Sequence, residues 1–328
     1  MMAAGVCHSD LSVIDGSRRR PMPIALGHEG AGIVEAIGEG VVDLQQGDTV
    51  VTVFLPRCET CVRCQTESTR LPCPVGSAAN EAGTLLSGAR RISCDGLEVN
   101  HHLGVSAFST HVVVDRRSLV PIGSDVPPEA AALLGCAMIT GGGAVLNELD
   151  VERMSSIAVV GLGGVGMSAL LAARAMTNAP VFAVDSVAEK RKLAMSLGAD
   201  AAYSPAEAVK RELAAEGVVE AAGNSMAFEL AVGMTAPGGT IVTVGLPSPD
   251  VRASISPLSL TSGARRIVGS YLGSSIPQRD VPRFESLWRE GRLPVESLVS
   301  HRIRLEEINP AMERLARGEA VRQIVLFD

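Results

Sequence analysis

The apolar run Ile157-Ala158-Val159-Val160 passes directly into Gly161-Leu162-Gly163-Gly164-Val165-Gly166, and an apolar segment from Val165 to Met176 follows. A buried strand, a glycine-rich turn and a helix in that order are the local form of a dinucleotide-binding unit, although the glycine spacing alone is a weak signal. The context strengthens it. Val181-Phe182-Ala183-Val184 reads as a second strand ending at Asp185, at the distance where an acidic side chain meets the adenosine ribose. Gly161, Gly163, Gly164, Val165 and Gly166 are therefore candidate pyrophosphate contacts, because the free N–H groups and dipole of a helix N-terminus favour anions. A carboxylate at Asp185 repels a 2′-phosphate, which favours NAD over NADP; the alternative is a strand-end aspartate capping the next helix. Apolar runs then alternate between strand and helix lengths. Helices are expected at Ala188 to Leu197, Ala206 to Ala215 and Ser225 to Met234, with strands at Val218 to Ala221 and Thr240 to Val244. That alternation implies a doubly wound α/β sheet.

Before Cys136 the pattern changes to short alternating runs broken by Gly and Pro, at Gly30 to Ile37, Asp48 to Phe54 and Phe108 to Val114, which read as strands of a β-rich domain. With 328 residues, two domains are expected. Cysteine usage is the chemical signal in the first. Cys58, Cys61, Cys64 and Cys73 have the spacing of a closed tetrahedral thiolate site, which leaves no position for substrate. Cys7, His28 and the distant Cys136 make a second set suited to zinc with one open position, whereas a lone His28 would read as a satisfied turn histidine. Cys94 is left over from the seven cysteines. An odd count without a basic or apolar leader at the N-terminus points to metal binding in a reducing, cytoplasmic setting.

The sequence carries 29 basic and 36 acidic residues, a balance that argues against a nucleic-acid partner, and Arg18-Arg19-Arg20 reads as a solvated loop. Ser155 to Ala173 is nearly long enough to cross a membrane without a charge, but its glycines favour a soluble strand-turn-helix.

GVCHSD (5–10), GHEGAGIVEAIGEGV (27–41), the four clustered cysteines, LLGC (133–136) and GLGGVG (161–166) occur together in one order. In that order the chain resembles zinc-dependent medium-chain dehydrogenases of the alcohol dehydrogenase type over nearly its whole length. The resemblance implies a GroES-like β-rich catalytic domain over 1–137, with a structural zinc lobe at 57–74. A Rossmann-type domain would follow over 138–273, and 274–328 would return to the catalytic domain. It implies two zinc ions per chain: a catalytic one on Cys7, His28 and Cys136, and a structural one on Cys58, Cys61, Cys64 and Cys73. Ser9 matches the hydroxyl that takes the alcohol proton, His8 a cofactor-phosphate contact, Asp10 the acceptor that orients His28, and Glu29 a group behind the metal. Thr140 and Lys190 match cofactor contacts, and Phe54 a substrate-pocket residue. Arg322 matches a pyrophosphate contact, with a surface arginine as the equal alternative. The segment Arg265 to Gly273 matches a final strand that pairs across a homodimer or within a homotetramer.

Two departures accompany the resemblance. Relatives carry further strands ahead of the residues matching Gly5 to Cys7, and Ser12 stands where the best-known members end a proton relay in histidine. The expected activity is hydride transfer between an alcohol, or its aldehyde or ketone, and NAD. A catalytically impaired zinc- and nucleotide-binding protein and a glutathione-linked formaldehyde dehydrogenase are the alternatives. The latter lacks its expected arginine between Pro74 and Gly83.

Overall fold

The computed structural model describes residues 1–66 and 71–328. The chain opens on β1 (Ala3–Val6), α1 (His8–Ile14), β2 (Ile24–Ala25), β3 (Glu29–Ile33) and β4 (Thr49–Thr52). Next come α2 (Val62–Gln65), α3 (Pro74–Ala82), β5 (Ile92–Cys94), β6 (Leu97–His101) and β7 (Leu119–Pro121). α4 (Pro128–Leu133) continues through one π-helical turn, Leu134–Met138, into α5 (Ile139–Glu148). The pattern then alternates: β8 (Ile157–Val160), α6 (Gly164–Met176), β9 (Val181–Val184), α7 (Ala188–Ser196), β10 (Ala201–Tyr203), α8 (Pro205–Lys210), β11 (Ala215–Glu220), α9 (Ser225–Met234), β12 (Thr235–Thr243), α10 (Pro257–Ser262) and β13 (Arg266–Gly269). The chain closes on α11 (Pro277–Arg289), β14 (Val299–Ile303), α12 (Ile308–Ala316) and β15 (Arg322–Leu326).

These elements form two compact units. The first holds Met1–Cys136, Ile276–Glu285 and Val299–Asp328; the second holds Ala137–Ser275 and Ser286–Leu298. In the first unit a sheet runs in the order β14-β15-β1-β3-β4-β7, antiparallel except where β14 pairs with β15, and a small sheet runs β2-β6-β5. Its core joins chain ends far apart in sequence: Ala4, Val6 and Leu11 pack with Val105, Ala107, Ile303, Met312 and Val325. The second unit is a fully parallel sheet in the order β10-β9-β8-β11-β12-β13, the doubly wound arrangement expected. Its central strands are apolar on both faces because helices cover both, and Ala158, Val160, Val184, Val218 and Ile241 are all buried.

Several boundaries differ from expectation, each for a local reason. Phe108 to Val114 forms no strand; Phe108 and Val114 satisfy their hydrophobicity by packing on the core from an irregular, largely exposed segment. α8 stops at Lys210, five residues early, because Glu212 turns to φ 49° and Ala215 already begins β11. Its start is set by a capping box in which Ser204 and Glu207 satisfy each other's backbone N–H groups. The final strand shrinks to Arg266–Gly269, since Leu272 adopts φ 54° and is buried in a helical turn. α11 begins at Pro277 and accommodates Pro282 within it. Among the described residues, the helix long and apolar enough to cross a membrane is Pro128–Glu148, whose apolar 18-residue window is 89% buried in the fold, and not Ser155 to Ala173, which divides into β8 and α6.

Close helix packing in the second unit rests on glycine. A Cβ at Gly141 on α5 would strike the Val165 carbonyl of α6, whereas one at Gly233 on α9 would meet nothing within 4 Å. Alanine exceeds glycine in helix propensity by about 1 kcal/mol, while overpacking costs about 1 to 3 kcal/mol. Gly233→Ala should therefore raise the melting temperature and Gly141→Ala should lower it. Calorimetry of the two variants checks the opposite signs; a rise for both would show that α5 and α6 separate at little cost.

Candidate functional site

Three elements of the first unit deliver the first constellation. Cys7 is the extended residue that caps α1, His28 immediately precedes β3, and Cys136 lies in the π-helical turn, where the wider pitch re-aims a side chain. That turn lies tight against β4: a Cβ on Gly135 would overlap the Thr52 carbonyl. Ligand atoms of Cys7, His28, Cys136 and Glu29 all fall within 4.8 Å of one another, and all four residues are buried. His28 turns Nε2 toward Cys136 Sγ at 3.5 Å and Nδ1 toward Asp10 Oδ2 at 3.2 Å. The latter contact is close but lies off the line of a hydrogen bond.

The electrostatics are those of donors crowded around one point. A hydrogen bond from Cys136 holds the Cys7 thiol well below its ordinary pKa, and the same bond, together with burial, pushes Cys136 well above it. Two buried thiols and an imidazole converging on one point form a donor set that fits a borderline-soft metal such as zinc. Burial opposes a charged His28, yet the Asp10 carboxylate and Cys7 carry its pKa well above the usual value. Burial likewise opposes ionised Asp10, but His28 and a hydrogen bond from His102 bring its carboxyl down to about 2. Glu29 is pushed up to about 7 by burial, with Arg322 acting against that.

Of the two expectations for Arg322 the surface one fails: the side chain is 4% exposed and paired with Glu29, its Nη1 lying 2.9 and 3.2 Å from the two carboxylate oxygens. Phe54, expected to line a substrate pocket, sets its ring edge-on to His28 at 5.9 Å. His8 is exposed and Ser9 half-buried in the first turn of α1, and Ser12 donates its hydroxyl to the His8 carbonyl at 2.9 Å. The residue that sequence reasoning missed is His102. Its Nδ1 donates to Asp10 Oδ1 at 2.9 Å, and its ring stands edge-on to His28 at 5.3 Å. The adjacent pair His101-His102, in a chain with six histidines, was the available signal.

The second constellation is Cys58, Cys61, Cys64 and Cys73, whose sulfurs lie within 4.8 Å of one another; residues 67–70 of the predicted 57–74 lobe lie outside the described residues. Backbone N–H groups point at the sulfurs, from Cys61 to Cys58 Sγ at 3.3 Å and from Cys58 and Gly76 to Cys73 Sγ at 3.4 Å. Burial opposes a Cys58 thiolate, yet donors from Thr60 and Cys61 lower it to about 6, while burial and neighbouring thiols raise Cys64 to about 12. All seven cysteines are free thiols, and four converging sulfurs fit a closed tetrahedral zinc site.

In the second unit the glycine turn has the shape its sequence requires. Gly161 takes φ 89° against Ala222, and Gly166 lies too close to the Gly161 carbonyl to bear a side chain. Gly163, at the N-terminus of α6, faces open space where a Cβ would meet nothing within 4 Å. Asp185 accepts hydrogen bonds from Leu162 N–H at 2.7 Å and Val187 N–H at 2.8 Å, so it braces the glycine turn and the segment leading into α7, whose N-cap is Val187. Thr140 Oγ1 is buried without a partner, Lys190 is half-buried on α7, and Arg191 holds the carbonyls of Asp185 and Ser186. An open glycine, an unpaired hydroxyl and a helix N-terminus fit a dinucleotide.

Comparison with known proteins gives the same picture. Residues 1–124 match the alcohol dehydrogenase GroES-like domain and residues 164–289 match the zinc-binding dehydrogenase domain. The chain is similar to benzyl alcohol dehydrogenase from Acinetobacter calcoaceticus, with 32% identity and a TM-score of 0.89, covering 100% of this chain and 90% of that one. An alcohol dehydrogenase zinc-binding domain protein from Burkholderia ambifaria is similar at 32% identity and TM-score 0.92, again covering 100% and 90%. An alcohol dehydrogenase from Thermus sp. ATN1 shares 26% identity at TM-score 0.79, with 99% and 90% covered.

The buried pair Glu29–Arg322 lends itself to a double-mutant cycle. Removing one partner of a buried ion pair strands the other and costs about 3 to 5 kcal/mol. Arg322→Met should cost that much in denaturant unfolding, and adding Glu29→Gln should recover most of it. Additive losses in the double variant would mean that the two side chains do not depend on each other.

Proposed function

The chain belongs to the zinc-dependent medium-chain family of alcohol dehydrogenases, and on that premise we propose that it moves a hydride between an alcohol, or the matching aldehyde or ketone, and NAD. The observation that carries this reading is the convergence of Cys7, His28 and Cys136 into one buried ligand set. When bound, zinc on those three residues makes a neighbouring hydroxyl more acidic, and nicotinamide takes up the hydride.

The chain's own residues supply the remainder. Ser9, two residues past Cys7 and half-buried, accepts the substrate's hydroxyl proton. A serine passes a proton on but does not store it near neutral pH, and the hydroxyl of Ser12 is already directed at the His8 carbonyl. Proton release therefore runs to water at the exposed start of α1, beside His8. The carboxylate of Asp185 receives the adenosine ribose, the turn at Gly163 the pyrophosphate, and Thr140 Oγ1 finds in the cofactor the partner it lacks. Cys58, Cys61, Cys64 and Cys73 hold a second, structural zinc. The unpaired outer edge of β13, at the end of its sheet, is the surface for a homodimer or homotetramer.

Two experiments test the reading. A panel of primary and secondary alcohols, beginning with aromatic ones such as the substrate named for the Acinetobacter relative, should yield NADH with the wild type. Ser9→Ala should fall in turnover by about two orders of magnitude or more while binding NAD normally. Full turnover in Ser9→Ala would remove that residue from the proton path. Wild type should prefer NAD, and Asp185→Ser should narrow the NAD to NADP ratio of kcat/KM. Equal use of both cofactors by the wild type would sink the ribose assignment.

A further inference from the structure

We propose that His102 is a positioning residue that fixes the metal ligand His28 through Asp10; the inference rests on the reading of Cys7, His28 and Cys136 as a zinc site. The argument begins with hydrogen-bond capacity. Asp10 is wholly buried, and an ionised carboxylate can only accept. Its Oδ1 takes two donors, Gly27 N–H at 2.8 Å and His102 Nδ1 at 2.9 Å. Two donors on one oxygen set the carboxylate plane and leave Oδ2 facing His28 Nδ1 at 3.2 Å. His102 must then carry its proton on Nδ1, and the negative charge at Oδ2, though off the line of a hydrogen bond, favours the His28 proton on Nδ1 as well. For His28 that leaves the Nε2 lone pair on the side of Cys136 Sγ, where a metal ion requires it.

The two donors are themselves immobile. Gly27 holds φ 91° with no room for a Cβ, which would lie 2.9 Å from Ala107 N. The His102 backbone N–H lies 3.1 Å from Ser106 Oγ and 3.2 Å from the Ala25 carbonyl, and Ser106 Oγ donates to that carbonyl at 2.8 Å. His102 is thus anchored to β2 from a site 92 residues away from Asp10 in sequence. Its ring also stands edge-on to His28, and His102 is absent from the four residues Cys7, His28, Glu29 and Cys136 whose ligand atoms converge on one point.

The test reads metal retention by the zinc-loaded protein. EDTA is added to wild type, His102→Phe and His102→Asn, and zinc release is followed, with Cys7→Ser and Cys61→Ser identifying which phase belongs to which site. Groups supporting a metal ligand typically carry about 10- to 100-fold of metal affinity. His102→Phe should speed release from the Cys7 site by roughly that factor and leave the Cys61 phase unchanged. His102→Asn, whose amide N–H replaces Nδ1–H, should return release close to the wild-type rate. Wild-type release in His102→Phe, failure of Asn to restore it, or equal acceleration of both phases would each overturn the proposal. A wild type holding one zinc that survives Cys7→Ser would overturn the site reading itself, and is distinguishable from two zincs that ignore His102→Phe.

Discussion

One buried carboxylate orders the metal-binding end of the first unit. Asp10 has no solvent exposure, so its charge must be met inside the fold, and it is met from three separate segments: hydrogen bonds from Gly27 and His102 to Oδ1, and the His28 ring at 3.2 Å from Oδ2. Each is thereby tied to α1, which also presents Cys7. The ligand geometry is a consequence of where those donors must lie, and rigidity there comes from polar satisfaction as much as from apolar packing.

Backbone contact does for Cys136 what hydrogen bonding does for His28. The π-helical turn that carries Cys136 presses Gly135 onto the Thr52 carbonyl of β4, and β4 pairs with β3, whose first residue follows His28. The position of the second thiol relative to the imidazole is therefore set by a glycine contact across a sheet. Glycine recurs for the same reason in the second unit, where Gly166 lies against the Gly161 carbonyl so that α6 can begin directly above β8.

What was legible in the sequence followed from periodicity and spacing. β8, β9 and α9 begin and end where the apolar pattern placed them, and both cysteine sets converge as their residue types required. Elements governed by tertiary context were not legible. Phe108 and Val114 alternate like a strand yet pack on the core from irregular backbone, and α8 ends where Glu212 adopts a left-handed conformation that no periodicity announces. The pairing of Arg322 was not legible because its partner Glu29 lies 293 positions away, a separation across which local pattern carries no information. His102 was missed for the same reason.

Charge accounting explains why these long-range partners exist. Cys7, Cys136, Glu29 and Asp10 put four acidic groups into one buried region, where Arg322 is a permanent cation paired with Glu29. Burial favours the protonated form of such groups; Cys136 and Glu29 move in that sense, Glu29 to about 7, whereas hydrogen bonds and neighbouring charge carry Cys7 and Asp10 the other way. A dication on two thiolates and an imidazole would balance the thiolates outright, and Arg322 would balance Glu29. Asp10 would be left as the one uncompensated carboxylate, and it has three donors around it, two of them histidine rings. Gly27 and His102, hydrogen-bonded to the same oxygen, thus meet the one negative charge that the fixed cations would leave over.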